Sequence, residues 1–166
     1  MFSVIFPGQG SQLVGMGKEF YNKYDLVKNL FKEADETLKF SLSKVIFDGP
    51  KEELNLTANT QPAIFLISYS IYSVIKREFN IDLSQAKYFA GHSLGEYSAI
   101  SCIGYLDFVE TIKILRKRGE AMQSAVPEGE GGMLAVLGSD IRNIEKVIRT
   151  RVNLGMQLMK QNDTDK

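Results

Sequence analysis

The feature that most constrains this chain is the run Lys87-Tyr88-Phe89-Ala90-Gly91-His92-Ser93-Leu94-Gly95. Lys87 to Ala90 reads as a short strand, and Glu96 to Cys102 is compatible with a helix. A strand that gives way to a helix through Gly-x-Ser-x-Gly has the local architecture of a nucleophile elbow. The glycines permit a strained turn that lifts the Ser93 hydroxyl clear of the backbone and lets a substrate carbonyl approach. The Leu94 backbone N–H, at the amino end of the following helix, is then placed to stabilise an oxyanion.

A serine hydroxyl becomes nucleophilic at neutral pH only beside a general base. The chain contains one histidine, His92, and it immediately precedes Ser93 on the turn, where neighbouring side chains diverge. Patterns of this kind draw the base from a later part of the chain, and no histidine follows here. The reading therefore assigns a nucleophile and no general base.

A second short strand, Ser3 to Phe6, ends at Pro7-Gly8-Gln9-Gly10 and reads as a buried strand running into a loop that exposes its backbone, a common ligand position in α/β folds. Gly8-Gln9-Gly10-Ser11-Gln12 lacks the Lys-Ser/Thr of a P-loop and the continuation of a dinucleotide fingerprint. An exposed N–H lining an acyl site fits it better than a phosphate cradle.

Helices are expected from Asp25, with the aspartate as cap and Leu26, Leu30, Phe31 and Ala34 on one face, and more weakly over Leu42 to Phe47. Another is expected from a Thr60 cap through Pro62, with Ile64, Ile67, Ile71 and Ile75 marking a face. The Asp107…Glu110 pair makes a capping-box-like start for a helix carrying Phe108, Ile112, Leu115, Gly119 and Met122, stopping near Pro127. On that helix Arg118 borders the apolar stripe while Arg116 and Lys117 point outward. Its guanidinium needs an anion: either one of the 20 acids of the chain, in an ordinary ion pair, or a substrate carboxylate held in a bidentate clamp.

The glycine-rich break Glu128-Gly129-Glu130-Gly131-Gly132 marks a composition shift, so residues 1–128 read as one subdomain and 129–166 as the start of another. The second holds a strand candidate, Met133 to Leu137, a helix from Ser139 or Asp140 to about Arg149, and a polar tail. With 20 basic and 20 acidic residues and 44% hydrophobic content, no net field draws the chain to nucleic acid or an anionic membrane. The one cysteine, Cys102, excludes an internal disulfide and suits a reducing compartment. With neither signal peptide nor spanning segment visible, a cytoplasmic setting is expected.

Four motifs in order, Phe6-Pro7-Gly8-Gln9-Gly10-Ser11-Gln12, Thr60-Gln61-Pro62-Ala63, Gly91-His92-Ser93-Leu94-Gly95-Glu96-Tyr97 and Arg118-Gly119-x-x-Met122-Gln123, closely resemble the malonyl-CoA:acyl carrier protein transacylases of fatty acid synthesis. The resemblance runs from Met1 to about Ile148. It implies an α/β-hydrolase-like domain, here partial, with the start of a small ferredoxin-like subdomain. It makes Ser93 the acylated nucleophile, the Gln9 and Leu94 N–H groups the oxyanion hole, and Arg118 the clamp for the malonyl carboxylate. Malonyl-CoA would be the substrate and acyl carrier protein, bearing phosphopantetheine, the partner, with no metal and no cofactor of the enzyme's own.

The family's catalytic histidine, a further glutamine and the remaining strands lie beyond residue 166. The alternative reading is a non-catalytic truncated fragment or relic. After Arg149 the motif resemblance ceases, which suggests a premature stop or frameshift; downstream DNA with no family-like segment in any frame would refute it. The isolated chain is expected to be marginally stable or to aggregate through strand edges and apolar helix faces that a complete domain buries. A cooperative thermal unfolding transition of a monomer would overturn that expectation.

Overall fold

The computed structural model describes residues 1–125 and 138–150. In chain order its elements are β1 (Ser3–Phe6), α1 (Lys18–Lys23), α2 (Asp25–Leu38), α3 (Leu42–Asp48), α4 (Lys51–Asn55), α5 (Thr57–Arg77), a 3₁₀ turn at Leu83–Gln85, β2 (Tyr88–Gly91), α6 (Leu94–Cys102) and α7 (Phe108–Ser124). The architecture is α/β, mostly helical, with a two-stranded parallel sheet. Met1–Glu130 and Gly131–Lys166 form two compact units. Within the described part of the second, residues 141–150 are helical, and Asp140 caps them by accepting the Arg142 N–H at 2.8 Å. The strand expected over Met133 to Leu137 lies outside the described residues.

β1 and β2 run in parallel with Ser3 opposite Tyr88 and Phe6 opposite Gly91. The chain between them must therefore cross over the sheet, and α1 to α5 make that crossing. Both strands end on the same side, so the loop after Phe6 and the turn after Gly91 leave the sheet together. β1 is less buried than its sequence suggests: only Phe6 is fully enclosed, and Ile5 is 76% exposed. The reason is that among the described residues β1 has one strand neighbour, and one of its faces looks away from the helices.

The core lies between α2, α3, α5 and α7. Val27, Phe31, Ala34, Leu42, Ile46, Phe65, Leu66, Ile112 and Leu115 are almost wholly withdrawn from solvent, and Phe31 stacks on Phe47 with ring centres 5.0 Å apart. Burying such side chains contributes about 1.5–3 kcal/mol each, which is what holds short helices with weak intrinsic stability in place. Asp25 does not cap α2; Tyr24 occupies the cap, and Asp25 sits in the first turn, paired at 2.7 Å with Lys28 one turn on. Asp107 caps α7 as expected, its Oδ1 accepting the Glu110 N–H at 2.7 Å.

α5 begins at Thr57, one turn before the expected Thr60 cap. The Thr60 hydroxyl instead donates back to the Leu54 carbonyl at 2.6 Å, tying α5 to α4. Pro62 consequently lies inside the helix, where it has no N–H to give the carbonyl four residues earlier, that of Ala58. Arg116 Nη1 fills the vacancy, donating to the Ala58 oxygen at 3.4 Å and to Asn59 Oδ1. Arg116 therefore does not point outward as its position beside the stripe suggested; it spans from α7 to α5 and lies over the Phe40 ring, 5.0 Å from its centre. The two helices pack so closely that a Cβ on Gly119 would lie 2.5 Å from the Thr57 oxygen and 2.6 Å from Ala58 Cα.

The isoleucine stripe on α5 also differs from a simple core face. Ile64 is buried, but with Ile67 and Ile71 it lines an apolar groove of about 500 Å³ shared with Val4, Phe6 and Met16. No helix among the described residues is long and apolar enough to cross a membrane.

Cys102, at the end of α6, is buried, and burial pushes its thiol from 9.0 up to about 12. The thiolate is the reactive form, so Cys102 should resist iodoacetamide at pH 8 in the folded protein and react in urea. Between pH 9 and about 12 the unfolded chain loses this proton while the folded chain keeps it, so stability falls as pH rises through that window. Rapid alkylation of the native chain at pH 8 would overturn the burial account.

Candidate functional site

Phe6 and Gly91 lie side by side at the carboxyl ends of β1 and β2, and everything at the site follows from how the chain leaves them. After Gly91 it turns through His92 and Ser93 and enters α6 at Leu94. The turn is anchored by the His92 N–H on the Phe6 oxygen at 3.2 Å and by the Gly95 N–H on the His92 oxygen at 3.0 Å. Ser93 has φ 56° and ψ −109°, a conformation that costs a non-glycine residue about 1–3 kcal/mol. The strain of the turn rests on the serine itself.

The glycines are required for closeness. A Cβ on Gly91 would fall 1.9 Å from the Gly95 carbonyl carbon, and one on Gly95 would fall 2.5 Å from the Phe6 oxygen. The first turn of α6 therefore rests directly on the ends of both strands, with no room for a methyl group. Leu94, the first helical residue, is fully buried, and its N–H belongs to the first turn, where no intrahelical acceptor exists. The positive end of the α6 dipole lies beside Ser93, which occupies the cap position of that helix.

The other loop, Gly8–Gln12, meets the turn at Gly8, where a Cβ would lie 2.4 Å from His92 Nδ1 and 2.7 Å from the His92 oxygen. The His92 ring is thus set against Gly8. Among the described residues no imidazole or carboxylate is hydrogen-bonded to Ser93 Oγ. Its partner is Arg118, whose Nη2 donates to Ser93 Oγ at 3.1 Å. Ser93, Leu94 and Arg118 are brought to one corner of the fold by a strand end and two helices, and Gly8, next to Gln9, lies against His92 beside them.

Arg118 reaches this corner from the middle of α7. Its Nη1 donates to Gln61 Oε1 at 2.6 Å, and its guanidinium carbon lies 5.7 Å from the centre of the Tyr97 ring. Gln61 is wholly buried, and its amide nitrogen donates to the Met122 sulfur at 3.3 Å, which leaves its oxygen facing Arg118. No carboxylate lies within ion-pair distance of Arg118 among the described residues. The bland expectation of an internal ion pair therefore does not hold: the guanidinium is surrounded by an amide, a hydroxyl and an aromatic face, none of which neutralises it.

Gln61 and Tyr97 were not singled out as site residues from the sequence. Tyr97 could have been, since it follows Ser93 by four positions and so rises one turn above it on α6. Gln61 sits in the Thr60-Gln61-Pro62-Ala63 motif, but a buried glutamine announces itself only once its partner is known.

The acyl transferase domain family model matches residues 3–164 of this chain. The chain belongs to that family. The match continues past Ile148, where the motif resemblance was expected to end. Among relatives, the chain is 50% identical over 143 residues to a malonyl CoA-acyl carrier protein transacylase of Bacillus subtilis strain 168, covering 86% of this chain and 44% of that one. It is 43% identical over 145 residues to the Escherichia coli K12 protein of the same name, covering 87% and 46%. Among solved structures, the acyl-carrier-protein-S-malonyltransferase of Bartonella henselae aligns with a TM-score of 0.81 at 42% identity, covering 89% of this chain and 47% of that one. A malonyl-transacylase solved in complex with a type II PKS acyl-carrier protein aligns with a TM-score of 0.72 at 42% identity, covering 77% and 40%. This acyl transferase chain thus spans about half the length of the curated relatives it matches.

The close approach of α6 to the strand ends makes a direct prediction. Gly91→Ala should lower stability by about 3 kcal/mol or more, because the clash is with backbone that cannot move aside. Urea denaturation of the two proteins checks it, and an unchanged midpoint would contradict the packing described.

Proposed function

We propose that this chain carries the nucleophile half of a malonyl-CoA:acyl carrier protein transacylase acting in fatty acid biosynthesis. The observation that carries the reading is the un-neutralised guanidinium of Arg118 in hydrogen-bond reach of the strained Ser93 hydroxyl. A hydrolase of neutral esters has no use for a fixed cation beside its serine; an enzyme that acts on an acyl group ending in a carboxylate does. The names of the relatives, and the neighbour solved with an acyl-carrier protein, support the same substrate and partner.

In the proposed reaction Ser93 Oγ attacks the thioester carbonyl of malonyl-CoA and loses its proton to a general base. The developing oxyanion is met by the N–H groups of Gln9 and Leu94, and the carbon–sulfur bond breaks to release the coenzyme A thiolate, which takes up a proton. The phosphopantetheine thiol of acyl carrier protein then attacks the seryl ester, and Ser93 leaves with its proton restored. Throughout, Arg118 holds the malonyl carboxylate, so the reacting carbonyl is aimed from its far end. Among the described residues no side chain is hydrogen-bonded to Ser93 Oγ as that base.

On this reading the first unit, with its strand–turn–helix site, belongs to an α/β-hydrolase-like large subdomain, residues 1–128. The glycine-rich break and the helix that follows, residues 129–166, open a ferredoxin-like small subdomain. A single cysteine among 166 residues supports a cytoplasmic setting. The second reading, a non-catalytic fragment, is favoured by one observation: His92, the only imidazole, lies against Gly8 and not against Ser93.

Intact-mass spectrometry after incubation with malonyl-CoA separates the two. A malonyl adduct absent from Ser93→Ala is expected if the nucleophile is competent; no adduct on the wild-type chain would favour the fragment. Where an adduct forms, Arg118→Ala should slow malonyl labelling by about tenfold to a hundredfold, the loss of one or two charge-assisted hydrogen bonds. Labelling by acetyl-CoA should be far less affected. Equal losses for both would refute the clamp.

A further inference from the structure

The site described above is held by two independent sets of contacts, and one of them has no role in the reaction as written. Thr57 and Gln61 stand four residues apart at the start of α5, so they share one face of the helix, a turn apart. Gln61 on that face fixes Arg118. Thr57 on the same face accepts from the Gln9 side-chain amide at 3.3 Å, so Gln9 is tied down through its side chain while its backbone N–H stays available.

Just before, at the end of α4, Asn55 Oδ1 accepts from Gln12 Nε2 at 2.9 Å, and the same Gln12 accepts the Gly10 N–H on its Oε1 at 2.8 Å. Within the loop, the Ser11 hydroxyl donates to the Gly8 oxygen at 2.9 Å. A five-residue loop containing two glycines, exposed over Gln9 to Ser11, has many backbone conformations to lose. These side-chain bonds, with the His92 contact at Gly8, are what selects one. The anchorage comes from the α4–α5 junction, not from the strand that leads into the loop.

We propose that Asn55 and Thr57 are positioning residues that hold the Gly8–Gln12 loop, and with it the Gln9 N–H, in register with Ser93. The functional meaning rests on the proposed role of that N–H as an oxyanion donor; the mechanical claim is separate and can be measured without turnover. The junction then serves both ends of the substrate, because the helix that fixes the carboxylate clamp through Gln61 also fixes the oxyanion loop through Thr57. A shift of α5 relative to the strand ends would misplace both together.

The test is the amide hydrogen-exchange rate of Gly10, followed by NMR on the whole chain, in Thr57→Val and Asn55→Ala. Thr57→Val preserves shape and removes the acceptor; Asn55→Ala removes the Gln12 tether. Each should speed exchange by about fivefold, the factor that corresponds to one net hydrogen bond, with exchange in α2 and α7 unchanged. Thr57→Ser and Asn55→Asp, which keep the acceptor oxygen, should restore the wild-type rate. Gln9→Ala removes the other partner from an exposed position and must reproduce Thr57→Val, which keeps the test decisive if the valine variant does not fold. Unaltered Gly10 exchange in the folded variants, or a rise spread evenly over all helices, would overturn the proposal. If malonyl labelling of the wild type occurs, Thr57→Val should slow it about fivefold with no change in half-saturating malonyl-CoA; absence of labelling would count against the transacylase reading and leave the exchange result to decide the loop anchorage.

Discussion

The arrangement depends on one contact without side chains, the seating of the first turn of α6 on the carboxyl ends of β1 and β2. Gly91 and Gly95 leave backbone against backbone there, so the helix cannot begin further out. The chain has only His92 and Ser93 with which to reverse from strand to helix, and Ser93 takes up the strain. A serine held in that conformation projects its hydroxyl away from the strand and toward the space bounded by the β1 loop. The same seating brings the amino-terminal end of α6 beside Ser93, with the Gly95 and Glu96 N–H groups held on the His92 and Ser93 oxygens. A looser junction would relieve Ser93 and at the same time withdraw the helix end from it, so strain and electrostatic placement have a common cause.

A second dependence runs through α5. This helix lies under both loops, its middle is core, and its first turn is polar: Asn59, Thr60 and Gln61 are buried among apolar residues. Buried polar groups are tolerable when each finds a partner, and here the partners come from outside the helix. Asn59 receives Arg116 and donates to the Glu53 oxygen, Thr60 donates to the Leu54 oxygen, and Gln61 bridges Met122 and Arg118. Pro62 contributes by withdrawing an N–H, which frees the Ala58 carbonyl for Arg116. Two arginines of α7 two positions apart, Arg116 and Arg118, are thus directed by neighbouring polar groups of a single turn. Gly119 allows the helices to approach closely enough for this.

How much of this was legible in the sequence depended on whether the signal was local. The elbow, the Asp107 cap and the helices carrying Phe31 and Ile112 could be read because strand–turn–helix grammar, capping and 3.6-residue periodicity act over a few residues. The starts of α2 and α5 were misread because Asp25 and Thr60 are good caps in isolation, while a neighbouring ion pair and a bond back to Leu54 won in the folded chain. The outward direction expected of Arg116 failed for a similar reason, since the carbonyl that attracts it exists only because of a proline 54 positions earlier. The burial of β1 was overestimated because an apolar run records what a strand can bury and not which neighbours it has. Gln61 was quoted in a motif but not assigned a task, because its task is a contact with a residue on another helix.

The surroundings of Arg118 bear on why the proposed carboxylate would suit that position. A guanidinium already paired with an aspartate would offer a substrate little, because the incoming anion would have to compete with a partner of equal charge held at high effective concentration. Here the neighbours orient the cation without neutralising it: Gln61 takes one Nη, the Tyr97 face lies beside it, and the second Nη rests on Ser93 Oγ. A neutral hydroxyl is a weak acceptor for a cation and yields readily to a carboxylate, which accepts more strongly. When it yields, the serine is released from the donor that occupied one of its lone pairs. On the proposed reading, binding of the acidic end of an acyl group and freeing of the serine for attack would be the same event.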